Sequence, residues 1–352
     1  MTRLIFTGDI ALSGIINEFT GGEIAGKLRL HDAAGEGLTV INLEAPVARE
    51  NDLPSKKKGV VLRSSRDALR AFLGSNRVSA VTLANNHSSD YGYEGIKETI
   101  EILDSFSIPH TGAGFRKEHL DPAVFSIEDT RYVLLGYVHP DTNPQMNEHV
   151  LLNIYELEKI KDSVRQSRTF ADRVIVSLHW GRDYSHYPMP WQMEDARAFI
   201  DAGADIVIGH HPHVIQPFEI YRGRYIFYSL GSTVFGDFYL RNRLRALPLK
   251  TKRSFMPVFS DLTGTPDFIA LKEEKGNSLR RESRDIRKWS ANIMRQVQLR
   301  ERCLLLNFLT GFKERWIDRL VDVMFGYYRN PFTDFFSAGA IRNAIRIIRS
   351  KD

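Results

Sequence analysis

The stretch Gly203-Ala-Asp-Ile-Val-Ile-Gly-His-His-Pro-His-Val-Ile-Gln216 decides how this chain is read, because an apolar run ends there in three closely spaced histidines. Ile206, Val207 and Ile208 are β-branched, which suits a buried strand, and Gly209 lets the backbone approach a neighbour closely. Pro212 biases His211 toward extended backbone, so His211 and His213 are expected on one side of the chain and His210 on the other. Two imidazoles on one side can share an ion. Three clustered imidazoles are hard to satisfy in a core without a metal or an acidic partner, which favours a metal site over packed core histidines.

Further ligands are expected at the ends of other strands if sheets and helices are layered. Leu4-Ile-Phe-Thr-Gly-Asp9 is a short apolar run that ends in a carboxylate. Leu38-Thr-Val-Ile-Asn-Leu-Glu44 ends in a second, and Pro46 stops that strand. Ala80-Val-Thr-Leu-Ala-Asn-Asn-His87 gives way to amide, amide and imidazole, followed by Asp90-Tyr-Gly92, and Arg173-Val-Ile-Val-Ser-Leu-His179 closes on another imidazole. A lone Asp9 or Glu44 would be ordinary as a helix cap or turn residue. Five apolar runs that each end in an oxygen or imidazole donor form a pattern. Such a mixed donor set suits Mn, Fe or Zn better than Ca, and its size suits two ions. A pair of ions ~3.5–4 Å apart under a bridging carboxylate activates a water and clamps the leaving oxygen of a phosphate-like group.

Phe6-Thr-Gly-Asp9, Asn42-Leu-Glu44, Asn85-Asn-His-Ser-Ser-Asp-Tyr-Gly92, Gly112-Ala-Gly114, His179-Trp-Gly181, Gly209-His-His-Pro-His213 and Tyr228-Ser-Leu-Gly231 resemble, in order, the motifs of the CapA-like capsule-synthesis proteins. That family is associated with poly-γ-glutamate and capsule formation and is distantly related to the calcineurin-like metallophosphoesterases. The resemblance runs from about Arg3 to Asp237. It implies Asp9, Glu44, Asn86, His179, His211 and His213 as metal ligands, with Glu44 as the bridge. It also implies His87 as the group that protonates the leaving atom, oriented by Asp90. Asn85, His210, Asp183 and Ser229 are expected around them, in contact with ligands or substrate.

The implied function is a metal-dependent hydrolase of a phosphoester or amide in the making of an anionic polymer. The competing expectation is a non-hydrolytic accessory subunit that holds polymer or a synthase partner at the membrane. Departures from the motifs of the related phosphoesterases are Ala11, where their first motif has a histidine, and Glu44, which replaces an aspartate. Within the family itself, Asp183 stands where glutamate is common, His119 where a small residue is usual, and Ser232-Thr233 where an asparagine and an aromatic residue are usual.

Helical stripes separate the strand candidates. Ile96, Ile100, Leu103 and Phe106 form one, and Leu69, Phe72 and Leu73 behind a Ser65 cap form a second. Met193, Ala196, Phe199 and Ile200 form a third, stopped by Gly203. Strands are also expected at Tyr132–Val138 and in a hairpin of Phe218–Tyr221 with Tyr225–Tyr228. The fold class is therefore α/β, layered sheets flanked by helices, with the metallophosphoesterase-like arrangement that the resemblance implies.

At 352 residues and 43% hydrophobic content the chain exceeds the ~250–300 residues at which one core stops growing. A boundary is expected near Phe238 to Ala246, giving residues 1–240 as the catalytic domain and 241–352 as a basic, mainly helical appendage. The first 240 residues carry 24 Lys and Arg against 31 Asp and Glu, whereas the remainder carries 24 against 12. Phe312, Trp316, Leu320, Val321 and Met324 mark one amphipathic helix in that tail, and Ile341, Ile345 and Ile348 mark another, with Arg342, Arg346 and Arg349 on its polar side. The tail is expected to pack on the domain with a solvated basic face or to meet an acidic membrane or polymer. No nucleic-acid recognition motif accompanies the charge, so no nucleic acid is expected. The single Cys303 excludes an internal disulfide and, with no signal peptide or transmembrane run in view, sets the expectation of a cytoplasmic protein at most peripheral to the membrane.

Overall fold

Every residue of the first strand, Leu4–Ala11, is buried, and the architecture is arranged around it. A computed structural model of the chain describes residues 2–55, 60–145, 148–240, 243–245, 247–274 and 277–302. The strands in chain order begin with β1 (Leu4–Ala11), β2 (Leu38–Leu43), β3 (Val78–Thr82), β4 (His110–Thr111), β5 (Ala113–Gly114), β6 (Ala123–Ile127) and β7 (Thr130–Val138). They continue with β8 (Leu151–Leu152), β9 (Arg173–His179), β10 (Ile206–His210), β11 (Phe218–Tyr221), β12 (Arg224–Phe227) and β13 (Ser232–Phe235). The last are β14 (Phe238–Leu240), β15 (Arg243–Arg245), β16 (Arg253–Phe259), β17 (Asp267–Glu273) and β18 (Leu279–Arg281). The helices are α1 (Gly21–Lys27), α2 (Leu30–Ala34), α3 (Arg66–Ser75), α4 (Gly92–Ser105), α5 (Leu157–Ser167), α6 (Pro190–Ala202) and α7 (Ile286–Arg302).

Two sheets carry the core. The first runs β18-β17-β16-β1-β2-β3-β4, with β13 also paired to β1, and the second runs β11-β12-β10-β9-β7-β6. Between them lies an apolar layer in which Leu4, Phe6, Val40 and Ala80 of the first sheet join Leu134, Ile175, Ile206, Ile208 and Phe227 of the second. The alternate residues Ile5, Ile41 and Val81 face outward onto Leu69, Phe72, Ile96, Ile100 and Leu103 of α3 and α4. Val133, Val174, Val176 and Val207 do the same under Ile160, Val164, Met193 and Phe199 of α5 and α6. Period-2 strands between period-3.6 helices thus give a helix–sheet–sheet–helix stack, the layered α/β arrangement expected. Local signals behave as expected too: the Ser65 hydroxyl accepts from the Ala68 amide at 3.1 Å, and Gly203 ends α6 at φ +120°. β11 and β12 form the expected antiparallel hairpin.

The boundary expected at residue 240 falls inside this body. Met1–Leu299 forms one compact unit, and β16, β17 and β18, in a stretch expected to be mainly helical, complete the first sheet. Phe255 and Phe259 from β16 enter the layer between the sheets, where Phe259 meets Phe6 edge to face at 6.1 Å. The charge shift that suggested a boundary reflects surface residues and says nothing of which strands pair. The expected tail helices at 312–324 and 341–348 and Cys303 lie outside the described residues. Among the described residues, no helix is long and apolar enough to cross a membrane.

A chain cut after Leu240 loses β16 and its antiparallel pairing to Leu4 and Ile5, together with two buried phenylalanines worth ~1.5–3 kcal/mol each. We expect that shortened chain to show no cooperative thermal transition by circular dichroism where the full chain does. A melt as sharp as that of the full chain would contradict this account of the sheet.

Candidate metal centre

Parallel strands of a layered sheet present their carboxyl ends on one rim, where ligands gather. Asp9 lies near the end of β1, Glu44 follows β2, Asn85 to Asp90 follow β3, and His179 and His210 end β9 and β10. What brings the two rims together is the segment Tyr228 to Gly231. A Cβ on Gly8 would stand 1.9 Å from the Gly231 carbonyl oxygen, and one on Gly209 would stand 1.9 Å from that of Tyr228. The Asp9 amide donates to the Gly231 carbonyl at 2.9 Å, and the Leu230 amide to that of Gly209 at 3.3 Å. Only glycine permits these approaches.

Asp9 is fully buried and sits at the centre of the cluster. Its Oδ1 accepts from the Asn42 amide at 2.9 Å and lies 3.1 Å from His210 Nδ1. Its Oδ2 accepts from the His211 backbone amide at 3.3 Å and lies 3.2 Å from His213 Nδ1. Glu44 Oε1 lies 3.6 Å from His179 Nε2 and 3.6 Å from His213 Nε2. His179 Nε2 also faces Asn86 Oδ1 at 2.9 Å, and the His179 and His211 rings are 4.9 Å apart. Asp183, half exposed, reaches His211 Nε2 at 3.4 Å. Beside the cluster, His87 Nδ1 lies 2.6 Å from Asp90 Oδ2, which also accepts from the Leu62 amide at 2.8 Å. That contact fixes the His87 ring with Nε2 as its remaining nitrogen.

The backbone of the histidine triplet differs from the expectation. His211 has φ +95° and His213 φ +54°, so neither is extended, and the preference imposed by Pro212 is overridden. Each left-handed residue costs ~1–3 kcal/mol, and here the turn drives the His211 amide and the His213 ring onto one carboxylate. His210, expected on the opposite side, also faces Asp9. Ser229 is part of the clasp rather than a contact surface, its hydroxyl donating to the Val214 carbonyl and accepting from the Gly231 amide. Asn85 likewise braces the turn, donating to the Leu43 carbonyl at 2.9 Å and accepting from the His87 amide.

Asn42 was not anticipated as a site residue. It donates to Asp9, lies 3.4 Å from His179 Nδ1 and holds Asn85 Nδ2 at 3.4 Å. Its signal was its place two residues before Glu44, on the same face of a strand. Ser232, whose hydroxyl lies 3.3 Å from His213 Nδ1, and Phe235, 4.8 Å from the His213 ring, complete the wall.

Three groups of donors have ligand atoms within 4.8 Å of one another: Glu44 with His179 and His211, Asp9 with Glu44 and His213, and Asp183 with His211 and His213. Glu44 belongs to two of them. The His211 Nδ1 atom is buried and has no hydrogen-bond partner among the described residues, a costly arrangement for a polar atom that a cation would relieve. The donor set therefore fits a divalent metal.

Residues 3–237 match the family model of the bacterial capsule synthesis protein PGA_cap. The chain is 35% identical over 220 residues to the capsule biosynthesis protein CapA of Bacillus anthracis, an alignment that covers 58% of this chain and 52% of that protein. It is 31% identical over 211 residues to the PGA biosynthesis protein CapA of Bacillus subtilis, covering 58% and 55% respectively. The chain thus spans about half the length of the curated relatives it matches. Among solved structures, a 5'-nucleotidase from Candida albicans overlaps 86% of this chain and 57% of its own at 10% identity, with a TM-score of 0.45.

Electrostatics prepare the cluster for a cation. Burial opposes ionisation of Asp9, but His210 and His213 outweigh it and hold the carboxyl well below its usual range. Burial pushes His179 well below its usual range, and it pushes His211 down to about 4 against the pull of Asp183, so both stay neutral and able to ligate. Burial also opposes a charge on His213, yet Glu44 and Asp9 overcome it and push the imidazole up to about 9. In the metal-free protein the His213 proton thus occupies the place of a cation.

Because the folded value for His213 lies above the unfolded ~6.5, its contribution is complete below pH 6.5 and is lost as pH rises toward about 9. His211 has the opposite sign, and its contribution falls away as pH drops from about 6.5 to about 4. We therefore expect the unfolding free energy of chelator-treated protein, from urea titrations, to peak near pH 6.5 and to fall by on the order of 2 kcal/mol by pH 9. His213→Gln should flatten that alkaline limb, and a bound divalent ion should remove it by displacing the proton. An alkaline limb of equal slope in His213→Gln would assign the loss to another group.

Proposed function

The chain belongs to the bacterial capsule synthesis protein PGA_cap family, and on that premise we propose that it is a metal-dependent hydrolase. Its substrate would be a phosphoester or amide met in the production of poly-γ-glutamate or a related anionic polymer. The observation that carries this reading is Glu44, one buried carboxylate common to two donor groups, as a bridge between two ions requires.

Asp9, Glu44, Asn86, His179, His211 and His213 would hold the metal, with Mn, Fe or Zn suited to their mixed oxygen and imidazole set. A divalent ion there supplies Lewis acidity, both to activate water and to polarise the bond under attack. The remaining chemistry belongs to the chain itself. Asp90 keeps the His87 ring oriented through Nδ1, so that Nε2 carries or receives the proton exchanged with the leaving atom. Asn42 orients Asp9 and His179 from behind, a role whose loss typically lowers metal affinity ~10–100-fold. Burial of the cluster excludes bulk water from these contacts, and the half-exposed Asp183 leaves an approach from solvent.

Elemental analysis of purified protein should find at least one equivalent of Mn, Fe or Zn, which His211→Ala/His213→Ala loses. The wild type should cleave a generic phosphodiester or a γ-glutamyl amide only with metal present. His87→Asn should keep its metal while turnover falls by ~10²–10⁴. Metal retained with no turnover on either bond would reject hydrolysis in favour of a non-hydrolytic accessory role, and no metal under any loading would reject the site.

A further inference from the structure

Lys250, on a short segment after β15, connects the donor cluster to a second cavity. Its Nζ lies 3.4 Å from the Tyr184 carbonyl oxygen and 5.2 Å above the Tyr184 ring. The Tyr184 amide donates to the Pro212 carbonyl at 2.8 Å, and its ring centre is 6.2 Å from that of His213. On the far side of this link is a hollow of about 180 Å³, room for roughly six waters at ~30 Å³ each. That space accommodates one small unit of a polymer.

The chemistry of its lining is one-sided. Lys250, Arg253 and Arg284 contribute three cations, and no carboxylate is among the residues that line it. Glu282 stands behind, taking Arg253 Nε at 3.2 Å and lying 3.6 Å from Arg284 Nε, so it aligns two guanidinium groups while offsetting one of three charges. Burial, reinforced by Lys250 and Arg284, holds the His186 imidazole below its usual range, as an anion-seeking field would. Ile215, Trp289 and Ile293 supply an apolar wall.

The walls are built before any ligand arrives. His186 Nδ1 lies 2.9 Å from the Ile215 carbonyl oxygen, and the Trp289 ring stands edge-on to His186 at 6.0 Å. Ser290 on α7 receives the Phe218 amide at 2.9 Å, and the Tyr187 hydroxyl lies 2.7 Å from Gln296 Oε1. The two contacts pin α7 to the start of β11 and to the segment before α6.

We propose that this cavity is an anion subsite that seats one carboxylate-bearing unit of the polymer beside the metal-ligand cluster. Paired guanidinium groups match a carboxylate in two-point geometry, and the apolar wall takes the methylenes that join it to the polymer backbone. A cation excess inside a concave wall also raises the local concentration of a polyanion. The proposal rests on the hydrolase reading for its substrate class, but binding can be measured without turnover.

The test is calorimetric titration of the full chain, once with chelator and once with Mn, using a γ-linked triglutamate and, separately, inorganic phosphate. Triglutamate should bind in both conditions and weaken with added salt. Lys250→Gln and Arg284→Gln should each weaken it about tenfold, as loss of a charge-assisted hydrogen bond does. Lys250→Arg should keep most of the affinity, and an unchanged melting temperature separates binding loss from unfolding. Phosphate should bind at least tenfold more weakly. Absent binding, equal affinity in wild type and both Gln variants, or phosphate binding as well as triglutamate would each overturn the assignment. Should the protein prove metal-free or inert, variant-sensitive triglutamate binding would still support the subsite while the hydrolase reading fell.

Discussion

The structure depends on one buried carboxylate. Asp9 is ionised in the core of the molecule, a state that costs several kcal/mol unless charge and hydrogen bonds surround it. Asn42 supplies one such contact from β2, and His210, the His211 amide and His213 supply the others from the end of β10 and the turn after it, so the contacts come from both sheets. Removing the carboxylate would leave those donors without a common acceptor, and removing the donors would leave a bare buried charge. The two sheets are thus locked at one point by electrostatics and elsewhere by apolar contact.

That lock explains features otherwise hard to place. The parallel pairing of β1 slips between Phe6 and Asp9 against β2 and between Asp9 and Ile10 against β13, so the strand is irregular at the residue that must leave the ladder and face the cluster. Gly8 and Gly209 admit the Tyr228 to Gly231 clasp, and the strained turn at His211 and His213 is tolerated because Asp9 gathers both its ring and amide contacts. Backbone strain at such a point is stable only while its partners over-determine it. The same turn faces Tyr184, whose carbonyl oxygen and ring meet Lys250 at the edge of the cationic cavity.

Much of this was legible in the chain. Strand runs that end in donors lie within reach of local pattern, because a buried parallel strand is apolar to its last residue and the chemistry follows it. Helix stripes and the β11–β12 hairpin were equally local. Two things were not. The rotation of His211 and His213 is imposed by Asp9, some two hundred residues away, against the preference that Pro212 sets. The place of β16 is also non-local: it pairs with the first strand, and Pro257 within it argues against a strand interior to a sheet. Asn42 was hidden for another reason, since an amide in an apolar strand carries no charge, and its spacing to Glu44 gains meaning only from what its neighbours present.

Ala11 bears on which side chains can reach the cluster. Ala11 is buried at the end of β1 and packs with Ala45 and Leu62, so the space is filled by core and offers no ligand. His210 instead lies against Asp9 Oδ1, and His213 spans Asp9 and Glu44 with Ser232 beside its Nδ1. A cation placed between those two carboxylates would have to displace the His213 proton. Burial leaves His179 and His211 neutral while Glu44 and Asp9 hold His213 protonated, so the imidazoles around Glu44 differ in charge.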